Sequence, residues 1–301
     1  MYGSSTGLVT VRNEILTQVN SFQAHTNYIN RIKQLPNGYV ATNSDDNTAK
    51  IWSIINLNWT LIRHYTNHTN TVKGLEYIST DTMATSSLDN TIKIWSISTG
   101  ETLRTINVGT QVYCIKLLSN GIYLASGLLN GNINVYNFND GSLIGSLKGH
   151  TQNVEDLALI SSDLIASSSD DMTVRIWSLI TNTTKFILSG HNNFVRGLKL
   201  ITDDILASGS NDFTIKLWNI TNGTLIRTLT GHTDKIYFSV DLLYDGQTLV
   251  SGSWDQTIKY WNFSTGDLLK SVNTGLYFKS LAVLDSTDTS KFSLNNFKSN
   301  C

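Results

Sequence analysis

The 301-residue sequence predicts an all-β protein built as a closed ring of small antiparallel sheets. Three observations indicate this fold: a motif that recurs every 41–43 residues, strand-like stretches between its copies, and chain ends that each carry part of a repeat. A fixed period in this range is typical of architectures in which each unit buries its faces against its neighbours.

Each copy of the motif ends in an aromatic residue. Five copies read "SDDNTAKIW", "SLDNTIKIW", "SDDMTVRIW", "SNDFTIKLW" and "SWDQTIKYW", and a weaker one reads "LLNGNINVY". Their last residues, in chain order, are Trp52, Trp95, Tyr136, Trp177, Trp218 and Trp261. Between them, alternating apolar stretches are separated by Gly, Asn and Asp, which predicts about four short strands per repeat. Such a sheet cannot bury both faces alone, so we expect the sheets to stack around an axis.

Both ends of the chain align with parts of a repeat. "LVTVRN" (8–13) aligns with "TIKIWS", with Arg12 at the tryptophan position, and "ILTQVNSF" follows as an outer strand. "YFKSLAVL" (277–284) aligns with an innermost strand, and we expect "KFSLNNF" (291–297) to be the next strand. The sequence therefore predicts one domain, 1–301, with six complete units and a seventh shared by residues 1–22 and 275–301.

Four hydrogen-bonding residue types recur at fixed spacing in five of the repeats. They are a histidine (His25, His68, His150, His191, His232), a hydroxyl residue (Thr42, Thr85, Ser167, Ser208, Ser251), an aspartate (Asp46, Asp89, Asp171, Asp212, Asp255) and the tryptophan (Trp52, Trp95, Trp177, Trp218, Trp261). A buried indole N–H, a hydroxyl and an imidazole each need a partner, and a chain of them satisfies all at once.

With these residues the sequence resembles the WD-repeat β-propeller family. The resemblance implies a seven-bladed β-propeller of four-stranded antiparallel blades, closed by N- and C-terminal strands that share one blade. It also implies a clasp in each blade, a hydrogen-bonded line from the tryptophan N–H through the hydroxyl and the histidine to the aspartate. The family's Trp-Asp dipeptide is absent at the clasp tryptophans, since Ser or Asn follows each of these five residues. The third unit has Tyr136 for Trp, Asn130 for Asp and no histidine near Gly109, so we expect this blade and the shared one to be the least stable.

The clasp residues also suggest a rival interpretation, a hydrolase triad of Ser251, His232 and Asp255. The same set occurs five times, and no Gly-x-Ser-x-Gly elbow or phosphate-binding loop accompanies it. The histidines lie in different repeats rather than paired at the short spacing of metal ligands. We therefore expect no catalytic residue, no cofactor and no metal site, and a protein that is not an enzyme.

Composition excludes several classes of partner. A net charge of −1 provides no field for nucleic acid, and no apolar run reaches the roughly 20 residues of a membrane span. Six Asn-x-Ser/Thr sequons hint at secretion. However, the start lacks a signal-peptide pattern, and Cys114 and Cys301 are too few for a disulfide framework. We expect an intracellular protein, cytoplasmic or nuclear.

The family resemblance places partner binding on the face that carries the aspartate turns and the loops into the innermost strands. The candidates there are Trp254, Tyr237, Lys235, Tyr277, Lys279, Tyr28, Phe194, Arg196, Tyr113, Glu155 and Asp170. Trp254 is the main one, because the same position holds Asp, Leu, Leu, Asp and Asn in the other repeats. Trp, Tyr and Arg dominate interface hot spots, although these rings can also simply pack on neighbouring turns.

The expected function is a non-enzymatic protein–protein interaction scaffold, monomeric on its own, that binds protein or peptide partners on this top face. Two alternatives stay open: a regulatory or sensor propeller domain of a larger protein, and a small-ligand-binding or hydrolytic propeller.

Overall fold

A computed structural model describes residues 2–4, 7–12, 18–36, 38–55 and 58–284 of the chain. The regular elements within these residues are 28 β-strands, arranged in four-stranded antiparallel sheets. Six of the sheets, which we call blades 1 to 6, are each formed by four consecutive strands paired in chain order.

The first three blades cover the first half of the chain. Blade 1 consists of β4 (Ile29–Gln34), β5 (Val40–Ser44), β6 (Ala49–Ile55) and β7 (Asn58–Tyr65). Blade 2 consists of β8 (Val72–Ser79), β9 (Thr82–Ser87), β10 (Thr91–Ser96) and β11 (Thr102–Asn107). Blade 3 consists of β12 (Val112–Leu117), β13 (Tyr123–Leu128), β14 (Ile133–Asn137) and β15 (Leu143–Leu147).

The next three blades follow the same plan. Blade 4 consists of β16 (Val154–Leu159), β17 (Leu164–Ser169), β18 (Thr173–Ser178) and β19 (Thr183–Ser189). Blade 5 consists of β20 (Val195–Leu200), β21 (Ile205–Ser210), β22 (Ile215–Asn219) and β23 (Thr224–Leu229). Blade 6 consists of β24 (Val240–Leu242), β25 (Thr248–Gly252), β26 (Thr257–Asn262) and β27 (Leu268–Asn273).

The two ends of the chain pair with each other in a further sheet, the closing sheet. It consists of β28 (Phe278–Leu281), β1 (Tyr2–Ser4), β2 (Leu8–Arg12) and β3 (Gln18–Gln23), in that order. Its innermost strand, β28, contacts β4 of blade 1 and β25 of blade 6. The closing sheet thus joins the first blade to the last.

The predicted all-β propeller of four-stranded blades is confirmed, but the predicted number of seven blades is corrected to six. A blade here means four strands from one continuous segment, and only blades 1 to 6 meet that description. The reason is that each chain end supplies only a fragment of a repeat, so the closing sheet combines two distant segments. The second strand of that sheet is also not "KFSLNNF" as expected, because β1 occupies that position between β28 and β2. Residues 291–297 lie outside the described residues.

The apolar core lies between neighbouring sheets rather than inside any one of them. Between blades 4 and 5, for example, Val174 and Leu188 pack with Val195, Leu206 and Trp218. Burying a large apolar side chain stabilises the fold by roughly 1.5–3 kcal/mol, so each blade depends on its neighbours for stability.

Innermost strands carry a β-bulge at their start in blades 1 to 5. The bulge falls at one residue of each strand, for example Glu155 between Val154 and Asp156, and Arg196 between Val195 and Gly197. An extra residue at a bulge leaves the ladder, which turns its side chain away from the regular alternation. The residue after the bulge lines the central channel in blades 1 to 5 (Arg31, Gly74, Cys114, Asp156 and Gly197), and Phe238, which precedes β24, lines it in blade 6. The bulges therefore separate the side chains of the top face from those of the channel.

Candidate binding face and the blade clasps

The clasp of blade 4 is a continuous line of hydrogen bonds. Trp177 Nε1 donates to Ser167 Oγ over 2.7 Å. His150 Nε2 lies 2.7 Å from the same Oγ, and His150 Nδ1 lies 2.7 Å from Asp171 Oδ2. Blades 1, 2, 5 and 6 have the same line, with all distances between 2.7 and 2.9 Å. The clasp fastens the loop before the innermost strand to the second and third strands.

The protonation states of the clasp histidine and aspartate follow from this geometry. Burial lowers the pKa of His150, and the hydrogen bond that its Nδ1–H donates to Asp171 only partly opposes that effect. Burial would raise the pKa of Asp171, but hydrogen bonds from His150 and Thr173 outweigh it and hold that pKa well below its usual range. The histidine is therefore neutral at pH 7, its Nδ1–H donating to the aspartate and its Nε2 accepting from the serine hydroxyl.

This arrangement gives the hydrolase interpretation no support. Ser251 is fully buried, and its Oγ is held between Trp261 Nε1 at 2.9 Å and His232 Nε2 at 2.8 Å. A nucleophile must be reachable by the substrate as well as activated by a base. The described residues also contain no group of three or more His, Cys, Asp or Glu side chains that could hold a metal ion.

The residue after each clasp aspartate has a left-handed backbone conformation. Its φ is 69° at Asn47, 69° at Met172, 72° at Phe213 and 67° at Gln256. Asparagine tolerates this region, whereas methionine and phenylalanine adopt it at a cost. Both Met172 and Phe213 are exposed.

Blade 3 replaces the clasp with a smaller network. Tyr136 takes the tryptophan position, and its hydroxyl accepts from Asn134 Nδ2 over 3.0 Å. Ser126 Oγ donates to the carbonyl of Asn134 instead of to a histidine. Asn130 keeps only the turn contact, accepting from the backbone N–H of Asn132.

The structure brings five of the predicted partner-binding residues together as one group, the aromatic cluster. It is centred on Trp254, whose ring centroid lies 5.2 Å from that of Tyr237, 6.1 Å from Tyr277 and 6.4 Å from Tyr28. Lys235 Nζ lies 5.3 Å from the indole centroid, which is a cation–π contact. Trp254 Nε1 is covered and has no hydrogen-bond partner in the described part of the chain. The ring surfaces, rather than the N–H, are what the cluster presents.

Three further candidates form the acidic triad at blades 4 and 5. Arg196 Nη1 lies 3.1 Å from Asp170 Oδ1 and also contacts Glu155 Oε1. Glu155 and Asp170 are buried. Burial and the neighbouring Glu155 raise the pKa of Asp170 to about 6. The guanidinium also lies 5.0 Å from the ring of Phe194.

The last two candidates sit at the edges of these groups. Tyr113 is half-buried beside the acidic triad, where burial and the charge of Glu155 raise its pKa. Lys279 lies in the closing sheet, with its Nζ 4.7 Å from the ring centroid of Tyr28. Its Nζ also lies 2.8 Å from Asp45 Oδ2, and Lys73 Nζ lies 3.4 Å from Asp45 Oδ1. We call Lys73, Lys279 and Asp45 the basic triad.

Sequence reasoning missed the contact that crosses the central channel. Arg31 on β4 reaches β16, where its Nη2 lies 2.9 Å from Asp156 Oδ1 and 3.2 Å from the carbonyl of Glu155. Its guanidinium lies 3.3 Å from the ring centroid of Phe238. A signal was available in the sequence, because the channel-lining position holds a small residue in three blades (Gly74, Cys114 and Gly197), which leaves room for a long side chain such as Arg31 to cross. At Gly197 a Cβ would come within 2.8 Å of the Tyr237 carbonyl, so that blade has no room for a side chain.

Five segments of the chain match the sequence profile of the WD40 family, described as WD domain, G-beta repeat. They are residues 16–53, 59–96, 141–178, 182–219 and 223–262, more than half of the chain. The chain belongs to the WD40 family. The WD40 match skips residues 97–140, which include most of blade 3, in agreement with the weak copy of the motif there.

A search of curated proteins found no match to this WD40 chain. WD40 propellers are commonly protein-interaction scaffolds and are typically non-enzymatic. In the part of the chain that the structure describes, no helix has the length and hydropathy to cross a membrane.

Proposed function

We propose that this WD40 protein is a non-enzymatic interaction module that binds a protein or peptide segment on its top face, over the aromatic cluster. The observation that carries this proposal is Trp254. The repeat supplies a reason for Trp261, which donates to Ser251 in the clasp, but none for an indole at position 254. The indole is half-buried within the aromatic cluster, and its only polar atom is unpartnered in the described chain.

The aromatic cluster has the properties of an interface hot spot. Tyr277 remains 45% exposed, so a partner can reach the cluster from the solvent. The other rings are already packed against each other, and rigid aromatic side chains lose little conformational entropy on binding. Lys235 forms no ion pair among the described residues, so one cation at the cluster is available to a partner.

The test is an affinity purification with the wild type and with the double variant Trp254→Ala, Tyr237→Ala. We expect the variant to lose specific partners that the wild type retains. A matched control is Tyr244→Ala, an exposed aromatic in the turn between β24 and β25, at the opposite end of the blade from Trp254. Loss of the same partners in the control, or identical partner sets for the wild type and the double variant, would contradict the proposed site.

A further inference from the structure

The charges at the mouth of the central channel do not balance locally. In the acidic triad two carboxylates, Glu155 and Asp170, share one guanidinium, that of Arg196. In the basic triad two ammonium groups, Lys73 and Lys279, share the carboxylate of Asp45. Each triad therefore has one excess charge, and the two excess charges have opposite sign.

The two triads face each other across the channel. Asn30 Nδ2 donates to Asp45 Oδ1 over 2.8 Å, which ties the basic triad to β4. The next residue, Arg31, donates across the channel to the carbonyl of Glu155 over 3.2 Å. The reach of one arginine side chain thus connects the two triads.

The aromatic cluster is continuous with both triads. Arg196 lies 5.6 Å from the ring of Tyr237, and Lys279 lies 4.7 Å from the ring of Tyr28. A segment bound on the aromatic cluster therefore has an excess negative charge at one end of its path and an excess positive charge at the other.

Both excess charges are held in partly desolvated surroundings. The side chains of Asp170 and Lys279 are only 11% and 12% exposed. An incompletely neutralised charge in such a place is costly, and a group of opposite charge lowers that cost.

We propose that the channel mouth binds a partner segment with one basic and one acidic side chain, the basic one at the acidic triad and the acidic one at the basic triad. This inference rests on the proposed function, and it names the chemistry of the partner. The complement is a peptide segment, because one ligand must carry both charges and also cover the aromatic cluster.

Binding has a pH signature that follows from the same groups. Burial and Glu155 raise the pKa of Asp170 to about 6, and a bound cation favours its ionised form, so affinity increases as pH rises through about 6. Burial and Lys73 lower the pKa of Lys279 to about 8, and a bound carboxylate favours its protonated form, so affinity decreases as pH rises through about 8. The groups that face Asp170 are Glu155, Arg196, Asn153, Asp171, Tyr113 and Tyr237, and those that face Lys279 are Lys73, Asp45, Glu155 and the ring of Tyr28. We expect the affinity to be greatest between these two values.

The probe is a phage-displayed library of random twelve-residue peptides, selected on the intact protein at pH 7. Selected peptides without histidine are then synthesised, and their dissociation constants are measured by fluorescence anisotropy from pH 5 to pH 9. The variants are Asp170→Asn and Lys73→Gln, each of which removes one excess charge. The matched controls are Asp203→Asn and Lys270→Gln, exposed residues outside the top face. The unfolding midpoint in urea is measured for every variant.

We expect the selected peptides to carry a Lys or Arg together with an Asp or Glu. Each triad variant is expected to weaken binding by about tenfold, the effect of one charged hydrogen bond, and each control by less than about twofold. Asp170→Asn is also expected to remove the rise in affinity near pH 6. The pH profile of the wild type tests the proposal even if a triad variant fails to fold.

Peptides that need Trp254 but lack the basic–acidic pair, or bind the triad variants unchanged, would overturn this inference and leave the proposed function intact. Peptides that bind Trp254→Ala as tightly as the wild type would instead contradict the proposed function. A flat pH profile for the wild type would also overturn the inference, and failure to select any peptide would count against both.

Discussion

Two adjacent serines of blade 4 distinguish the stability that comes from the clasp hydrogen bonds from the stability that comes from burial alone. Ser167 and Ser168 are neighbours on β17, and both are fully buried. Ser167 Oγ contacts Trp177 Nε1 and His150 Nε2, each over 2.7 Å. Ser168 Oγ has no hydrogen-bond partner in the described part of the chain. The substitutions Ser167→Ala and Ser168→Ala therefore remove the same atom from two equally buried positions on opposite faces of the blade, once with two partners and once with none.

The expected cost of Ser167→Ala is about 2–4 kcal/mol of unfolding free energy. Two hydrogen bonds are lost at roughly 0.5–1.5 kcal/mol each, and the buried indole N–H of Trp177 is left without an acceptor, which adds about 1–3 kcal/mol. These contributions partly describe the same loss, so the expected cost is smaller than their sum. For Ser168→Ala we expect a change between zero and about 1 kcal/mol of stabilisation, because a buried unsatisfied hydroxyl is removed.

The measurement is equilibrium unfolding in urea, followed by tryptophan fluorescence and by far-UV circular dichroism. Coincident transitions by the two probes establish that one free energy describes each variant. If Ser167→Ala and Ser168→Ala lower the unfolding free energy equally, burial rather than the hydrogen-bonded line explains the loss. A change below about 0.5 kcal/mol for Ser167→Ala would refute the stabilising role of the clasp.

Three further predictions concern the clasps and the channel. Burial lowers the pKa of His150 below 6.5, so the stability that depends on its neutral form is present above about pH 6.5 and is lost as pH falls. The urea midpoint is therefore expected to decrease from pH 7 to pH 5. A constant midpoint would contradict this prediction. Met172→Asn is expected to raise the unfolding free energy by about 0.5–1 kcal/mol, because asparagine tolerates a φ of 69° and the methionine is exposed; a loss of stability by the same urea assay would show that its side chain packs usefully. Arg31→Met is expected to lower the unfolding free energy by about 3 kcal/mol, because it leaves the carboxylate of Asp156 without its paired cation. Adding Asp156→Leu is expected to recover part of that loss. A double variant less stable than Arg31→Met alone would contradict this account.

The sequence predicted the parts of the fold that repeat. Clasp residues recur at fixed spacing, so His150, Ser167 and Trp177 were identified without any structure, and the hydrogen bonds between them follow from their chemistry. The closing sheet was harder to predict, because β1 is only three residues long and carries no periodic pattern. Its position between β28 and β2 is decided by long-range pairing, which local sequence does not encode.

The candidate face was predicted as a set of separate residues, not as groups. Repeat alignment placed Trp254, Tyr237 and Tyr28 on one face, but it did not indicate that their rings contact each other. The charge pairs were missed for the same reason, since Lys279 and Asp45 are far apart in the chain and meet only when the ring closes. The partner-binding role of these residues stays a prediction.

The pairing of β1 with β28 bears on how the molecule loses its structure. In an open array of repeats the two terminal units each have one neighbour, so unfolding begins at an end and proceeds inward. With the closing sheet in place, blade 1 and blade 6 both have neighbours on two sides, and no unit is terminal. Opening then has to start with the separation of two strands that are about as distant in sequence as the chain allows, and that separation exposes two interfaces at once. The pairing of four residues with three thus determines whether six blades unfold one after another or as a single cooperative unit.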